Sequence, residues 1–295
     1  MRYDQDHESS DLIDERGQGG GGGGPRMAGS GLLGLLPLLL RFRFGWVIIV
    51  LVVGFSLFKN FAGGGGAAPR SVTGATTSVA AKGGDAPRHF VAFVLDDAQT
   101  TWRQLFAQNG KQYRNAKLVL FSDSTNTGCG LGEAATGPFY CPNDERVYID
   151  LSFYNELAQR FGIKGDFAEA YVIAHEIGHH VQKQLGTSAQ VDRASKAARL
   201  GPTGLSVRLE LQADCYAGIW ARSTNQRQIL EAGDVDEALG AAAAVGDDHI
   251  QKATAGTVHP ETWTHGSAEA RSRWFKNGFD KGTIEACDTF KASAL

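Results

Sequence analysis

Residues 166–186 read DFAEAYVIAHEIGHHVQKQLG, and the period of that stretch is helical. Val172, Ile173, Ile177 and Val181 recur at helical spacing and mark the stripe that such a helix buries. Asp166 can cap its start, and Gly186 closes it after Leu185. Within the helix stands His175-Glu176-Ile177-Gly178-His179. Residues four apart sit one turn from each other on a single face, so His175 and His179 can offer imidazole nitrogens to one Zn²⁺. Glu176 flanks the same side. A zinc ion with three protein ligands keeps a position for water, lowers that water's pKa, and leaves a nearby carboxylate to take the proton. His180 is rotated about 140° around the helix from His175 and reads as a packing or hydrogen-bonding residue.

The third ligand has to come from elsewhere. An extended metzincin motif needs Gly at 182 and His at 185, where this chain has Gln182 and Leu185. The best candidate is Glu210, in Glu210-Leu211-Gln212-Ala213-Asp214, on a helix expected to start near Gly204. Glu210 and Asp214 again share a face. Glu210 would complete a His₂Glu set, and Asp214 could accept a hydrogen bond from the distal nitrogen of a ligand histidine and fix its tautomer. Ala213, Ala217 and Gly218 are small enough to let the two helices approach. Asp192, His249, His259 and His265 stand in reserve as ligands.

Working outward, composition divides the 295 residues into four parts. Residues 1–43 mix charges with polyglycine and read as a disordered cytoplasmic tail. Residues 44–61 include FGWVIIVLVVGFSLF (Phe44 to Phe58), uncharged and close to the roughly 20 residues that cross a bilayer, so a transmembrane helix is expected there. Arg26, Arg41 and Arg43 precede it while Lys59 alone follows closely. The positive-inside rule then keeps the N-terminus in the cytoplasm and the rest outside, as a single-pass membrane protein. Residues 62–87, rich in Gly, Ala, Ser and Thr, read as a flexible linker. Residues 88–295 carry the folded domain.

In that domain Asp96 to Asn109 is expected helical. Lys117 to Ser122, Gly137 to Cys141 and Arg146 to Leu151 read as strands, the last two joined by a turn at Asn143-Asp144. Helices follow at 204–223, 235–255 and 267–280. A few strands followed by several helices indicate an α+β fold with a small β-sheet. The formal net charge is −3, which supplies no basic field for nucleic acid. Cys129, Cys141, Cys215 and Cys287 all follow the apolar stretch, and an even count there fits two disulfides in an oxidising compartment. Three pairings are open. The short separation of Cys129 and Cys141 favours that bridge, leaving Cys215 with Cys287.

The helix and its Glu-xxx-Asp partner form the gluzincin signature, and the chain resembles the neutral zinc metallopeptidase family of bacteria. The resemblance runs through the N-terminal anchor, Thr127-Gly128-Cys129-Gly130, Gly137-Pro138-Phe139-Tyr140-Cys141-Pro142 and Val147-Tyr148-Ile149-Asp150-Leu151. It continues through His175 to Gln182, Glu210 to Cys215, and Thr264-His265-Gly266. It implies a zincin-like fold and hydrolysis of peptide bonds. His265 and Arg271 also resemble a late His-Pro-x₄-Arg arrangement of integral-membrane gluzincins, with Gly266 where those have Pro. That likeness implies that His265 or Arg271 stabilises a developing oxyanion or orients Glu210. The expected activity is a membrane-anchored zinc endopeptidase acting on protein or peptide, with Glu176 as general base and an edge strand, 138–141 or 146–150, pairing with substrate. The competing reading is a catalytically silent zinc-fold scaffold, which the presence of Glu176 disfavours.

Overall fold

The computed structural model describes residues 1–17, 85–163 and 165–295. Those residues form one body in which a small sheet and a layer of helices share a core. Strand β1 (Leu12–Asp14) comes first in the chain. Helix α1 (Ala86–Gln108) follows, capped by the Asp85 carboxylate and begun by a proline in its first turn. It starts ten residues before the expected Asp96, and its first two residues lie inside the stretch read as linker. The fixed φ of Pro87 suits a first turn, and Phe90, Val91, Val94 and Leu95 bury its inner face.

Next come β2 (Lys117–Phe121), the hairpin β3 (Ser124–Thr127) and β4 (Gly130–Glu133), then β5 (Phe139–Cys141) and β6 (Arg146–Asp150). The four-stranded sheet runs β1-β2-β6-β5, with β1, β2 and β6 parallel and β5 antiparallel at one edge. The hairpin fills the stretch between the expected strands 117–122 and 137–141, where no strand was expected. Helix α2 (Ser152–Phe161) leads into α3 (Asp166–Leu185). Gly186, at φ 83°, closes α3 as expected. Short helices α4 (Thr187–Asp192) and α5 (Lys196–Arg199) precede α6 (Leu205–Gln226). The stretch expected to be one helix over 235–255 is two, α7 (Asp234–Ala244) and α8 (Asp247–Ala255). They part at Gly246, where a Cβ would lie 2.4 Å from the backbone nitrogen of Ala268. Helix α9 (Ala268–Lys281) ends the helical layer.

Helices α3, α6 and α9 pack on one another through small residues. A Cβ on Gly178 would lie 3.0 Å from the carbonyl oxygen of Ala213, so α3 meets α6 nearly backbone to backbone. Gly218 serves a different contact from the one expected: its missing Cβ makes room for α9 at Phe275, as Gly278 does for α6 at Cys215. Phe167 stacks on Trp220 at 5.4 Å, locking the start of α3 onto α6. Both expected disulfides are formed, Cys129–Cys141 and Cys215–Cys287.

Residues 1–17 correct the expectation of a disordered tail over that stretch. Leu12, Ile13 and Asp14 pair with Leu118, Val119 and Leu120, and the Met1 ammonium is buried 2.8 Å from Asp166. That carboxylate therefore takes the amino terminus rather than capping α3, whose cap position is Gly165. Because residues 1–17 and 85–295 share one sheet, the expected placement of the N-terminus opposite the domain is corrected too. The expected span over 44–61 lies outside the described residues, and among those no helix is long and apolar enough to cross a membrane.

Candidate metal and active site

Helix α3 carries the first two candidate ligands on one face, and α6 crosses it so closely that Glu210 reaches both. The Nε2 of His175 lies 3.2 Å from Glu210 Oε2, and the Nε2 of His179 lies 3.5 Å from Glu210 Oε1. Ligand atoms from the three residues fall within 4.8 Å of one another, a separation that one ion can bridge. Of the reserve ligands, Asp192 and His265 line the same cleft, whereas the metal-compatible cluster contains only His175, His179 and Glu210.

Each ring is aimed by its other nitrogen. The Nδ1–H of His175 donates to Asp214 Oδ1 at 2.8 Å, the role expected of Asp214. The Nδ1–H of His179 donates to Gln182 Oε1 at 2.9 Å, a partner that sequence reasoning left out. Asp214 is fully buried and heavily engaged. It also accepts from the Tyr171 hydroxyl at 2.5 Å and from Arg271, Nε to Oδ2 and Nη2 to Oδ1, both at 2.9 Å. Arg271 thus binds Asp214 rather than Glu210, and its Nη1 also donates to the Val245 carbonyl at 3.2 Å. Tyr171 was missed, although it stands one turn before His175 on the same face; a tyrosine there looks like core.

Electrostatics follow from this packing. Burial alone would raise Glu210, but the facing rings of His179 and His175 hold it well below the usual carboxylate range. Burial opposes charge on His175, yet Asp214 and Glu210 outweigh it and push that ring up to about 10. His179 is raised by Glu210 against the same burial. A divalent cation competes for the nitrogens that bind those protons, so loading the site releases them. Glu176 is also buried, and unlike Glu210 it is raised, because burial outweighs the nearby His179 and His175 rings.

The site opens into a cleft of about 530 Å³ bounded by Pro138, Phe139 and Tyr140 of the edge-strand segment and by His265. The His265 ring is half exposed, and its Nδ1 lies 3.2 Å from Asp247 Oδ1. Asp247, also unforeseen, accepts the backbone N–H groups of Thr264, His265 and Gly266 at 2.7–2.9 Å and so fixes the turn. His180 packs as expected: the Tyr140 hydroxyl lies 2.9 Å from its Nδ1, and its Nε2 donates to the Arg114 carbonyl at 2.7 Å. The Tyr140 contact ties α3 to β5.

A second acidic cluster, Asp166, Asp234 and Glu237, stands at the start of α3. The Met1 ammonium lies 2.8 Å from Asp166 and 3.4 Å from both Asp234 and Glu231, which already supplies a cation there.

With this geometry in hand, residues 1–290 match the family described as "Putative neutral zinc metallopeptidase". The chain is 43% identical to "Uncharacterized protein YpfJ" of Escherichia coli K12 over 297 aligned positions, covering 99% of this chain and all of that protein. It is 48% identical over 194 positions to "Uncharacterized protein Mb2605" of Mycobacterium bovis, covering 62% of this chain and 65% of the relative. No solved structure matches.

Proposed function

The chain belongs to the neutral zinc metallopeptidase family, and from that premise we propose that it hydrolyses peptide bonds at the His175–His179–Glu210 cluster. The observation that carries the reading is the convergence of two imidazole nitrogens, each ring held from behind, and one carboxylate beside a buried glutamate. Two His and one Glu are a donor set that zinc accepts in catalytic sites, so the residues fit the ion the family implies. When bound, zinc polarises a carbonyl and acidifies water.

The chain's own groups supply the rest. Glu176 takes the proton of the attacking water and passes it to the leaving amine. His265, steadied by Asp247, donates to the carbonyl oxygen as charge develops there. Arg271 acts at one remove, holding Asp214 and through it the His175 ring. The edge strand β5 offers main-chain groups to an extended peptide lying in the cleft, which is the mode expected of a zincin-like fold. Two disulfides support an extracytoplasmic, oxidising place of action. Membrane attachment through 44–61 belongs to the same proposal, without the crossing that would part residues 1–17 from the domain.

The test is metal content and hydrolysis of an unstructured protein by the full chain, wild type beside His175→Ala and Glu176→Gln. One equivalent of zinc lost in the first variant and hydrolysis lost in the second are expected. Well-folded wild type that takes up no zinc would sink the reading.

A further inference from the structure

The two metal-facing histidines are aimed by different chemistry. His175 donates to a carboxylate clamped by Arg271, whereas His179 donates to a neutral amide. An amide can turn either its oxygen or its NH₂ toward a ring nitrogen, and only the oxygen accepts an N–H. In Gln182 the choice is forced. Its Nε2 lies 2.6 Å from the Leu209 carbonyl and 3.2 Å from Gln212 Oε1, two acceptors for its two protons. Gln212 is fixed in turn, because its own Nε2 donates to the Cys287 carbonyl at 3.0 Å. The Gln182 side chain is wholly buried, so no water can take the place of a lost partner. Its Oε1 must therefore face His179, the Nδ1 of His179 must carry a proton, and Nε2 is the nitrogen left for a metal, on the side of Glu210.

We propose that Gln182 is the positioning residue of His179, its orientation set by the relay Gln182–Gln212–Cys287. The relay ends where the Cys215–Cys287 bridge ties the C-terminal segment to α6, so the aim of one ligand is referred to a covalent cross-link. This rests on the zinc reading above.

Two variants of the full chain separate aiming from packing. Gln182→Glu keeps an oxygen for His179 but loses both donors. Gln182→Met is similar in size and loses all three bonds. Zinc affinity is read by competition with a chelator, and ligand geometry by the visible absorption of the Co²⁺-loaded protein. Gln182→Met is expected to bind zinc about 10–100-fold more weakly with an altered spectrum, while Gln182→Glu stays within a few-fold of wild type. Equal weakening in both variants would assign the residue to packing alone and overturn the proposal, as would unchanged affinity in Gln182→Met. Should circular dichroism show that Gln182→Met does not fold, Gln212→Met removes one of the two acceptors and frees the amide to turn. Weaker zinc binding is then expected, and unchanged binding overturns the relay. Wild type without zinc would defeat the hydrolase reading itself; wild type with zinc and an indifferent Gln182→Met would defeat only this inference.

Discussion

Arg271 holds Asp214 through two parallel contacts, Nε to Oδ2 and Nη2 to Oδ1, each 2.9 Å long, with both side chains sealed from solvent. Removing one member of such a pair leaves the other charge buried alone. Arg271→Ala is therefore expected to destabilise the fold by about 3–5 kcal/mol. Arg271→Lys should recover only part, since an ammonium offers no planar fork. Urea unfolding at constant slope measures both, and a loss under about 1 kcal/mol for Arg271→Ala would contradict the buried-pair account.

Glu176 and Glu210 should part company on mutation. Glu176→Gln keeps zinc and loses hydrolysis by roughly 10²–10⁴-fold, the usual weight of a general base. Glu210→Ala loses zinc affinity as well, because only two nitrogens remain. Metal analysis beside peptide turnover distinguishes them, and full metal retention in Glu210→Ala would rule out the third ligand.

The Asp247 carboxylate raises the His265 ring above its ordinary value, chiefly through their hydrogen bond. If the protonated ring is the donor to the carbonyl oxygen, activity falls as pH rises through that raised value. Asp247→Asn keeps an acceptor for the turn but removes the charge, so the alkaline limb of kcat/KM should move to lower pH. An unmoved limb would free His265 from that role.

The amino terminus should behave as a structural charge. Burial opposes it, but Asp166 and its neighbours raise the Met1 ammonium above the ordinary 8.0. A raised folded value means that the stabilisation is complete below about pH 8 and disappears as pH climbs through the folded pKa. An N-terminal extension or acetyl group should lower the melting temperature near neutrality, with the gap to wild type closing in alkali. A gap that persists unchanged at high pH would place the effect in sterics instead.

Reduction should be felt more at one bridge than the other. The chain-entropy model gives about 3 kcal/mol for the shorter loop and about 4 for the longer one, the separations being 12 and 72 residues. Replacing Cys215 and Cys287 together by Ala should thus cost more than replacing Cys129 and Cys141, as thermal unfolding would show.

The centre of the site was legible because helical spacing is local. His175 with His179, and Glu210 with Asp214, announce themselves at four-residue intervals, and the glycine after Leu185 marks the end of α3. What supports them was not. Gln182 and Tyr171 lie on the same helix, but their partners come from α6 and α9, and nothing in a single helix reveals that Asp214 faces Arg271 across 57 positions. Strand β1 was illegible for a similar reason. Three residues among acids and arginines carry no periodic signal, and their pairing partners stand more than a hundred positions away. The break between α7 and α8 falls at Gly246, just after the alanine run 241–244 of high helical propensity, and a lone glycine in a helical pattern is often tolerated.

The pairing of β1 with β2 also has a consequence for compartments. Strands in one sheet share one solvent, so residues 1–17 and 85–295 lie on the same face of any bilayer the chain meets. A membrane-impermeant reagent applied to intact cells should therefore find an engineered cysteine at Asp6 and one at His259 together, or find neither.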